Sequence, residues 1–481
     1  MGGTAAAATL IVYNIVLVGV GLWASRAARS SDDFLLAGRS LGPLVAGLAY
    51  AASSSSAWVL LGFSGFVYAA GPSALWMVPG ILAGYAAVWL WAGATLQQRS
   101  REAGHLTLTD FLTEQSGPWA ARAIRVSASL MIAFCFSYYV AAQFQGAGQA
   151  FDDLFGTGLS VGVVLGALII VAYVFLGGFL AVSVTDTIQG LLMALVAVVL
   201  PAVAFSAAGG FGGIGEALAE APSAYTETFG GRAGWIATGF VVGLFATGFG
   251  ALGQPHLIAW IMAARDRRAR TIGAGVAIGW GALVYSGMAV LGLSARAIFG
   301  ADAPAEGVFF KLAGDLLPGV LAGVIAAATL SAIMSTVDSQ LLVAGAAVSH
   351  DLGLGKAAGG REVLVSRLAI LVLCAAAVAL TLLLPSTIFE RTLFAWTALG
   401  AAFGPTVVAR TLGYAPSGVA VLAAILAGFG LSLIYEFWAD AGPGAVWSRT
   451  LPWAAGFAAL AIAGLVDRDA ETRRKALGES P

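Results

Sequence analysis

Long apolar runs separated by short polar loops recur along the whole chain. Runs of about 18 or more mostly apolar residues are long enough to cross a lipid bilayer as helices. The pattern therefore predicts an all-α polytopic membrane protein with about thirteen transmembrane helices. The predicted spans are 7–25, 41–70, 74–96, 121–149, 159–180, 183–207, 234–263, 270–297, 317–347, 363–384, 389–411, 415–436 and 446–466.

The composition supports a membrane protein with one domain over residues 1–481. Hydrophobic residues make up 59% of the 481 residues and charged residues only 10%, whereas a soluble domain carries about 25% charged residues. The net charge of −1 gives no indication of a nucleic-acid partner. Two isolated cysteines, Cys135 and Cys374, indicate neither a disulfide framework nor a metal site. The start, MGGTAAAATL, lacks the basic region of a signal peptide, so the first apolar run is interpreted as a helix.

Basic residues are distributed unevenly between alternate loops. If the N-terminus is outside, only five of the 24 Lys and Arg residues fall in outer loops: Arg232, Arg296, Lys311, Arg391 and Arg449. Because basic residues concentrate on the cytoplasmic side, this predicts an inner (plasma) membrane protein with its N-terminus outside and its C-terminus cytoplasmic. The inner segment 97–118 contains Thr107 and Thr109, either of which is positioned to cap a helical turn.

Two predicted spans are interrupted near mid-bilayer. The second span, GLAYAASSSSAWVLLGF over 47–63, holds four adjacent serines at Ser53–Ser56, whose hydroxyls compete with the hydrogen bonds of a helix. The seventh span contains Pro255 and several glycines, among them Gly243, Gly248, Gly250 and Gly253, which weaken or end a helix. Irregular backbone at membrane depth occurs where it lines a cavity or is buried in protein. We therefore expect both interruptions to face a site rather than lipid.

The spacing of the two interrupted spans predicts an inverted repeat. They stand five spans apart and so run in opposite directions through the membrane. Spans two to six (41–207) and seven to eleven (234–411) then form a five-plus-five inverted-repeat (LeuT-like) core, each half opening with a broken helix, as in transporters that bind solutes and ions at the breaks. Residues 1–40 give a leading helix and inner loop, 412–470 two trailing helices, and 471–481 a cytoplasmic tail.

The ninth span and a buried acid supply candidate cation ligands. Ala332, Ser335, Thr336 and Ser339 fall on one helical face, and Asp338 lies beside them. A carboxylate near mid-bilayer is costly and is a functional group by default, although Asp338 protonated or paired for packing is the simpler alternative. Asp186 opens the sixth span, where a helix cap is the simpler alternative. Hydroxyls, freed carbonyls and carboxylates suit a small hard cation, which we place between the second and ninth spans.

Motifs along most of the chain resemble the sodium/solute symporter family, and most closely its sodium/proline symporter branch. They are FLLAGRSLGP (34–43), LTDFL (108–112), FLGGFLAVSVTDTIQ (175–189), GQPHLIAWIMA (253–263), LSAIMSTVDSQLLV (330–343) and AFGPTVV (402–408). The resemblance implies Na⁺-coupled symport of a small organic solute, an amino acid first of all, by alternating access. It implies Na⁺ as the coupling ion, no organic cofactor and no enzymatic activity. We expect the protein to be monomeric or weakly associated in the lipid bilayer.

The resemblance also implies site residues. A first Na⁺ site would use carbonyls of Ala52, Ser55 and Ala332 and hydroxyls of Ser335 and Thr336. A second Na⁺ or H⁺ site, present in some family members, corresponds to Asp186, Ser335, Asp338 and Ser339. The solute-binding candidates are Ser54, Ser56, Trp58, Tyr139, Gln143, Thr247, Phe249, Gly250 and Ala251.

Several positions depart from the proline branch. That branch has an aspartate at the position of Ser54 and a serine-like residue at that of Asp338, so we hypothesise that Asp338 compensates the charge of the cation. The branch has a tryptophan at the position of Thr247 and a tyrosine at that of Ala251, so we expect a roomier pocket here. Proline, a larger amino acid and another small organic solute all remain open.

Two alternatives to Na⁺ symport also remain open. The first is a symporter of the same fold coupled to protons through Asp338 or Asp186. The second is a transporter-like solute sensor, although no soluble signalling module follows residue 470. An enzyme is the weakest reading, because no nucleophile–base pair, metal cluster or phosphate-binding loop stands out in the sequence.

Overall fold

The computed structural model describes residues 2–25, 35–174, 179–384, 386–439 and 446–476. Within these ranges the chain is helical, and a short parallel backbone bridge between Leu41 and Ala264 is the only β pairing. The all-α prediction is confirmed. Three predicted features fall partly outside the described residues. They are the basic residues Arg26 and Arg29, residues 175–178 at the start of the motif 175–189, and residues 477–481 of the predicted tail.

The helices follow one another with short connections. In chain order they are α1 Gly2–Ser25, α2 Pro43–Ala57, α3 Ser64–Ala70, α4 Met77–Ala86, α5 Gly93–Glu102, α6 Leu108–Thr113, α7 Pro118–Phe155, α8 Leu159–Val174, α9 Phe179–Ala207, α10 Gly210–Glu220, α11 Ser223–Thr226, α12 Gly234–Phe249, α13 Pro255–Ala263, α14 Arg267–Phe299, α15 Val308–Leu316, α16 Gly319–Ala346, α17 Leu354–Ala357, α18 Glu362–Leu383, α19 Ile388–Thr411, α20 Gly418–Phe437 and α21 Val446–Ala476.

Nine helical stretches in the described part of the chain are long and apolar enough to cross a membrane, and two shorter apolar helices lie within α1 and α8. One of the nine, Pro43–Glu102, is 60 residues long, and its two ends lie together, because Arg39 donates a hydrogen bond to Ser100 at 3.3 Å. The chain therefore turns back within this stretch, at Gly71 with φ 65°. The total of thirteen spans and the inverted repeat stay predictions.

The first interruption lies at Ser56, where α2 leaves helical geometry with φ 52° and ψ −175°. A π-helical turn, Trp58–Phe63, then leads into α3. Two side chains accept hydrogen bonds from the backbone after the break: Ser56 Oγ from the N–H of Trp58 at 3.0 Å and Gln143 Oε1 from the N–H of Ala57 at 2.9 Å. These contacts satisfy donors at the start of the second half-helix, as caps do.

The second interruption lies between α12 and α13. A 3₁₀ turn, Gly250–Gly253, follows α12, and Gln254 is extended before Pro255 opens α13 at its first position. Proline fits there because it lacks an N–H and its φ is already helical. Both predicted interruptions are thus present in the described structure.

Close helix packing fixes the second interruption beside α4. A Cβ atom added at Gly248 would lie 1.8 Å from the carbonyl oxygen of Gly80, and one at Gly84 would lie 2.0 Å from that of Gly248. Only glycine allows this approach of two backbones, as at small-residue interfaces in membranes. The contact places Tyr85, the residue after Gly84, next to both interrupted helices.

Helix α16 lies at the centre of the protein. It packs against α1, α2, α7 and α9, and almost every residue from Ile325 to Ala346 is buried. Its polar stripe is therefore enclosed by other helices and does not face lipid. Helix α10 is a short, mostly exposed helix in the glycine-rich connection between α9 and α12.

Candidate ion and solute site

The break in α2 faces the polar stripe of α16. Thr336 Oγ1 donates a hydrogen bond to the carbonyl oxygen of Ser53 at 2.9 Å, and the hydroxyls of Ser53 and Ser339 lie 2.6 Å apart. All four residues of Ser53–Ser56 are buried. The structure therefore brings the four serines and the ninth-span hydroxyls together across 283 residues of sequence.

Three of the predicted first-site residues, Ala332, Ser335 and Thr336, lie at this junction. The carbonyl of Ala332 accepts hydrogen bonds from Ser335 Oγ at 3.2 Å and Thr336 Oγ1 at 3.1 Å. Ser55 Oγ donates to the carbonyl of Ala51 at 2.8 Å, and Ala52 is fully buried. Hydroxyl and carbonyl oxygens of this kind fit a small hard cation. Ser53, which sequence reasoning did not single out as a ligand, makes both contacts between the helices.

Asp186 of α9 and Asp338 of α16 form a buried acid pair. Both side chains are fully buried, and their carboxyl groups lie close enough to interact directly. Asp338 Oδ1 accepts from the N–H of Ser339 at 2.7 Å. Within the described residues, no donor reaches Asp338 Oδ2 or either oxygen of Asp186. Two adjacent buried carboxyl groups with three oxygens that lack a donor are stabilised by a proton or a cation between them.

Helix α1 also reaches this acid pair, which the sequence did not reveal. Tyr13 forms a hydrogen bond with Ser331 of α16 and lies near Gln189 and both carboxyl groups. The side-chain amide of Gln189 has no hydrogen-bond partner within the described residues. The leading helix α1 therefore contributes the Tyr13 hydroxyl to the polar cluster around the acid pair.

A separate cavity lies between the two interrupted helices, with room for about one water molecule (about 10 Å³). Four of the predicted solute-binding residues line it: Ser54, Trp58, Tyr139 and Thr247. Its remaining lining residues were not predicted; they are Ile81, Tyr85, Tyr285, Thr392, Leu393 and Trp396. The cavity is thus largely aromatic, with hydroxyls at several points of its wall.

The other five predicted solute contacts lie elsewhere. Gln143 and Ser56 cap the break in α2 with their side-chain oxygens. Phe249 is half-buried and packs against Phe245 with ring centroids 5.8 Å apart. Gly250 and Ala251 form the 3₁₀ turn. These five positions are not among the residues that line the cavity.

Trp396 of α19 occupies the space next to Thr247. Its indole Nε1 donates to the carbonyl of Thr247 at 2.7 Å, and a Cβ atom at Gly250 would lie 2.3 Å from that nitrogen. Trp396 therefore packs against Thr247 and Gly250 from another helix, and the roomier pocket stays a prediction. Sequence reasoning missed Trp396 because nothing in its local pattern distinguishes it from a packing tryptophan.

Trp58 and Tyr85 line the cavity and are held in place by contacts with neighbouring side chains. Trp58 stacks on Phe389 with ring centroids 5.8 Å apart and meets the edge of Tyr285 at 6.1 Å. Its indole N–H has no hydrogen-bond acceptor within the described residues, so it is free for a ligand. The hydroxyl of Tyr85 forms a hydrogen bond with Ser54 Oγ, which ties the cavity wall to the serines of α2.

Comparisons with known proteins agree with this arrangement. The pattern of the sodium:solute symporter family matches residues 34–411. The high-affinity proline transporter PutP of Bacillus subtilis (strain 168) is 32% identical over 436 residues, covering 88% of this chain and 90% of that protein. The sodium/proline symporter of Escherichia coli (strain K12) is 32% identical over 414 residues, covering 83% and 81%.

A solved structure shows the same fold. A Na⁺-coupled sialic acid symporter, in a substrate-bound outward-open state, superposes with a TM-score of 0.78 at 18% sequence identity, covering 96% of this chain and 98% of that one. The matched relatives and this neighbour are transporters and not enzymes. By its sequence pattern over most of its length, the chain belongs to the sodium:solute symporter family.

Proposed function

We propose that the protein is a Na⁺-coupled symporter of a small organic solute, with proline as the first candidate and other amino acids next. The observation that carries this proposal is the contact of the broken α2 with the hydroxyl stripe of α16, directly beside an aromatic cavity. The named activities of the proline-transporting relatives support the choice of solute.

Sodium, the coupling ion, would be held first by oxygens of Ala52, Ser55, Ala332, Ser335 and Thr336. Asp186, Asp338 and Ser339 would hold a second cation. The unpartnered carboxyl oxygens of the acid pair support this assignment, because a bound cation compensates the charge that burial disfavours. Asp338 then supplies on α16 the negative charge that Ser54 lacks on α2.

The solute would occupy the cavity between the interrupted helices, which would widen to admit it. Trp58, Tyr139 and Trp396 offer faces for its apolar part, and the free indole N–H of Trp58 offers a donor for an acidic group. The start of the second half-helix of α2 points a positive dipole end toward this region, which favours an amino-acid carboxylate.

Alternating access would follow from rocking of the core helices against the rest. The core comprises the proposed inverted repeats, 41–207 and 234–411, with the N-terminus outside and the C-terminus cytoplasmic. One charge crossing 100 mV is worth about 2.3 kcal/mol, and a tenfold Na⁺ ratio adds about 1.4 kcal/mol. One Na⁺ per cycle would therefore sustain roughly a 500-fold solute gradient.

Transport by purified protein in liposomes tests the proposal. We expect uptake of labelled proline or another amino acid when Na⁺ is outside, and none when K⁺ replaces it at equal ionic strength. A thermal-unfolding screen against amino acids and organic acids, each with Na⁺ or K⁺, identifies the solute because a ligand raises stability with its concentration. The absence of any Na⁺-dependent stabilisation or uptake across the whole panel would refute Na⁺ symport.

Proton coupling is the second candidate, and the buried Asp186–Asp338 pair favours it specifically. A shared proton between the two carboxyl groups would satisfy the same unpartnered oxygens as a cation. Uptake driven by an inward pH gradient without Na⁺, and unchanged by added Na⁺, would support this candidate over the first.

A further inference from the structure

A second polar cluster lies far from the ion and solute site, at the end of α16 near segment 97–117. Asp110 belongs to α6, and His350 and Asp351 end the π-helical turn that follows α16. One ligand atom from each residue lies within 4.8 Å of the other two. In the part of the chain that the structure describes, this is the one group of three His, Cys, Asp or Glu side chains with such spacing.

The contacts within this cluster leave one oxygen unused. His350 Nε2 lies 3.1 Å from Asp110 Oδ2, and Arg125 lies 3.5 Å from Asp110 Oδ1. Thr107 Oγ1 donates to Asp351 Oδ1 at 2.9 Å. Asp351 is only 6% exposed, and its Oδ2 has no hydrogen-bond partner among the described residues. A buried carboxylate with a free oxygen is costly unless a cation or proton occupies the space before it.

The donor atoms of the three side chains favour one class of metal ion. The Asp110 carboxyl group contacts His350 Nε2, Arg125 and the N–H of Leu106. An imidazole with two carboxylates suits Zn²⁺ and similar divalent metals, whereas Ca²⁺ and Mg²⁺ prefer oxygen alone.

The spacing also fits a tetrahedral metal. Bonds of about 2.0 Å in a tetrahedron place the ligand atoms roughly 3.3 Å apart. The 3.1 Å separation of His350 Nε2 and Asp110 Oδ2 is close to this value, and a ligand atom of Asp351 lies within 4.8 Å of both. A small cavity of about 20 Å³, lined in part by Thr107, Thr109 and Asp351, adjoins the cluster.

We propose that Asp110, His350 and Asp351 form a binding site for a divalent transition metal such as Zn²⁺. The metal replaces the proton between His350 and Asp110 and takes the free oxygen of Asp351 as its third protein ligand. It joins α6 to the end of α16, the helix that carries the proposed Na⁺ ligands. Bound metal therefore restrains α16 and slows transport.

The chain offers few competing zinc ligands. It contains three histidines and two cysteines; both cysteines are buried, and His256 is fully buried. His105 lies near the cluster but outside it, against the ring of Phe111. His105→Asn is therefore a matched control for His350→Asn.

The experiment uses full-length protein without a polyhistidine tag. Binding of ZnCl₂ is measured by competition with a chromophoric chelator, and CoCl₂ by the visible absorption of bound Co²⁺. We expect His350→Asn and Asp351→Asn to weaken both metals at least 10-fold, and His105→Asn to leave them within twofold of the wild type. MgCl₂ at the same concentration should give no competition.

A second variant covers the risk that His350→Asn unfolds. His350→Gln keeps a hydrogen bond toward Asp110 but lacks imidazole, and we expect the same loss of metal binding with wild-type thermal stability. Equal zinc binding by the wild type and a folded His350 variant, or no zinc binding by the wild type at micromolar metal, would overturn the proposal. Neither result bears on Na⁺-driven uptake, which tests the proposed function separately.

Discussion

Replacing Thr336 with valine tests the contact on which the proposed ion site depends. The substitution keeps the branched shape but removes Oγ1, which donates to the Ser53 carbonyl at 2.9 Å. Thr336→Val therefore removes one proposed Na⁺ ligand and one bond between α16 and α2, while steric packing is preserved.

The expected change in Na⁺ affinity follows from the strength of a hydrogen-bonding group that faces an ion. A hydrogen-bonding group that faces an ion contributes about 1.5–3 kcal/mol, and each 1.4 kcal/mol is about tenfold in affinity. We therefore expect Thr336→Val to raise the half-saturating Na⁺ concentration about 10- to 150-fold. Separately, the Ser53 carbonyl loses its donor, which lowers the free energy of unfolding by about 1–3 kcal/mol.

The assay follows thermal unfolding of the purified protein against NaCl, with KCl keeping the ionic strength constant. Thr329→Val is the matched control: Thr329 lies on the same helix and is also fully buried, but its hydroxyl donates to the Ile325 carbonyl within α16. We expect the control to keep the wild-type Na⁺ dependence within twofold. The reasoning fails if both variants shift the Na⁺ dependence equally, or if neither does.

Three further predictions concern the acid pair, the cavity and the break. Asp338→Asn and Asp186→Asn should each raise the half-saturating Na⁺ at least tenfold, and the double variant should be non-additive because the two groups are in contact; unchanged Na⁺ affinity would count against both assignments. Trp396→Phe, which loses the donor to the Thr247 carbonyl, should weaken solute-dependent stabilisation about fivefold, and an unaltered solute response would contradict its place in the site. Ser56→Ala should lower the free energy of unfolding by about 1 kcal/mol, because it loses a cap. Ser56→Gly should be less destabilised than Ser56→Ala in the same chemical unfolding, because glycine relieves the positive φ; the reverse order would contradict this account.

Local sequence patterns predicted the helical fold, the two interruptions and the hydroxyl stripe. These features depend on neighbouring residues: apolar runs span a bilayer, Pro255 opens a helix, and Ser335, Thr336 and Ser339 share a face because of the helical period. The four serines were enough to predict where the first break lies. They did not predict the positive φ of Ser56.

Tertiary packing alone decided which side chains meet. Ser53 contacts α16 across 283 residues, Trp396 reaches Thr247 across 149 residues, and Tyr13 brings the leading helix to the acid pair. Gln143, predicted to contact the solute, reaches the break from α7 and accepts a hydrogen bond from the N–H of Ala57. No local period determines such contacts, because they depend on how separate helices cross and rotate, and close approaches such as Gly84 against Gly248 set that crossing.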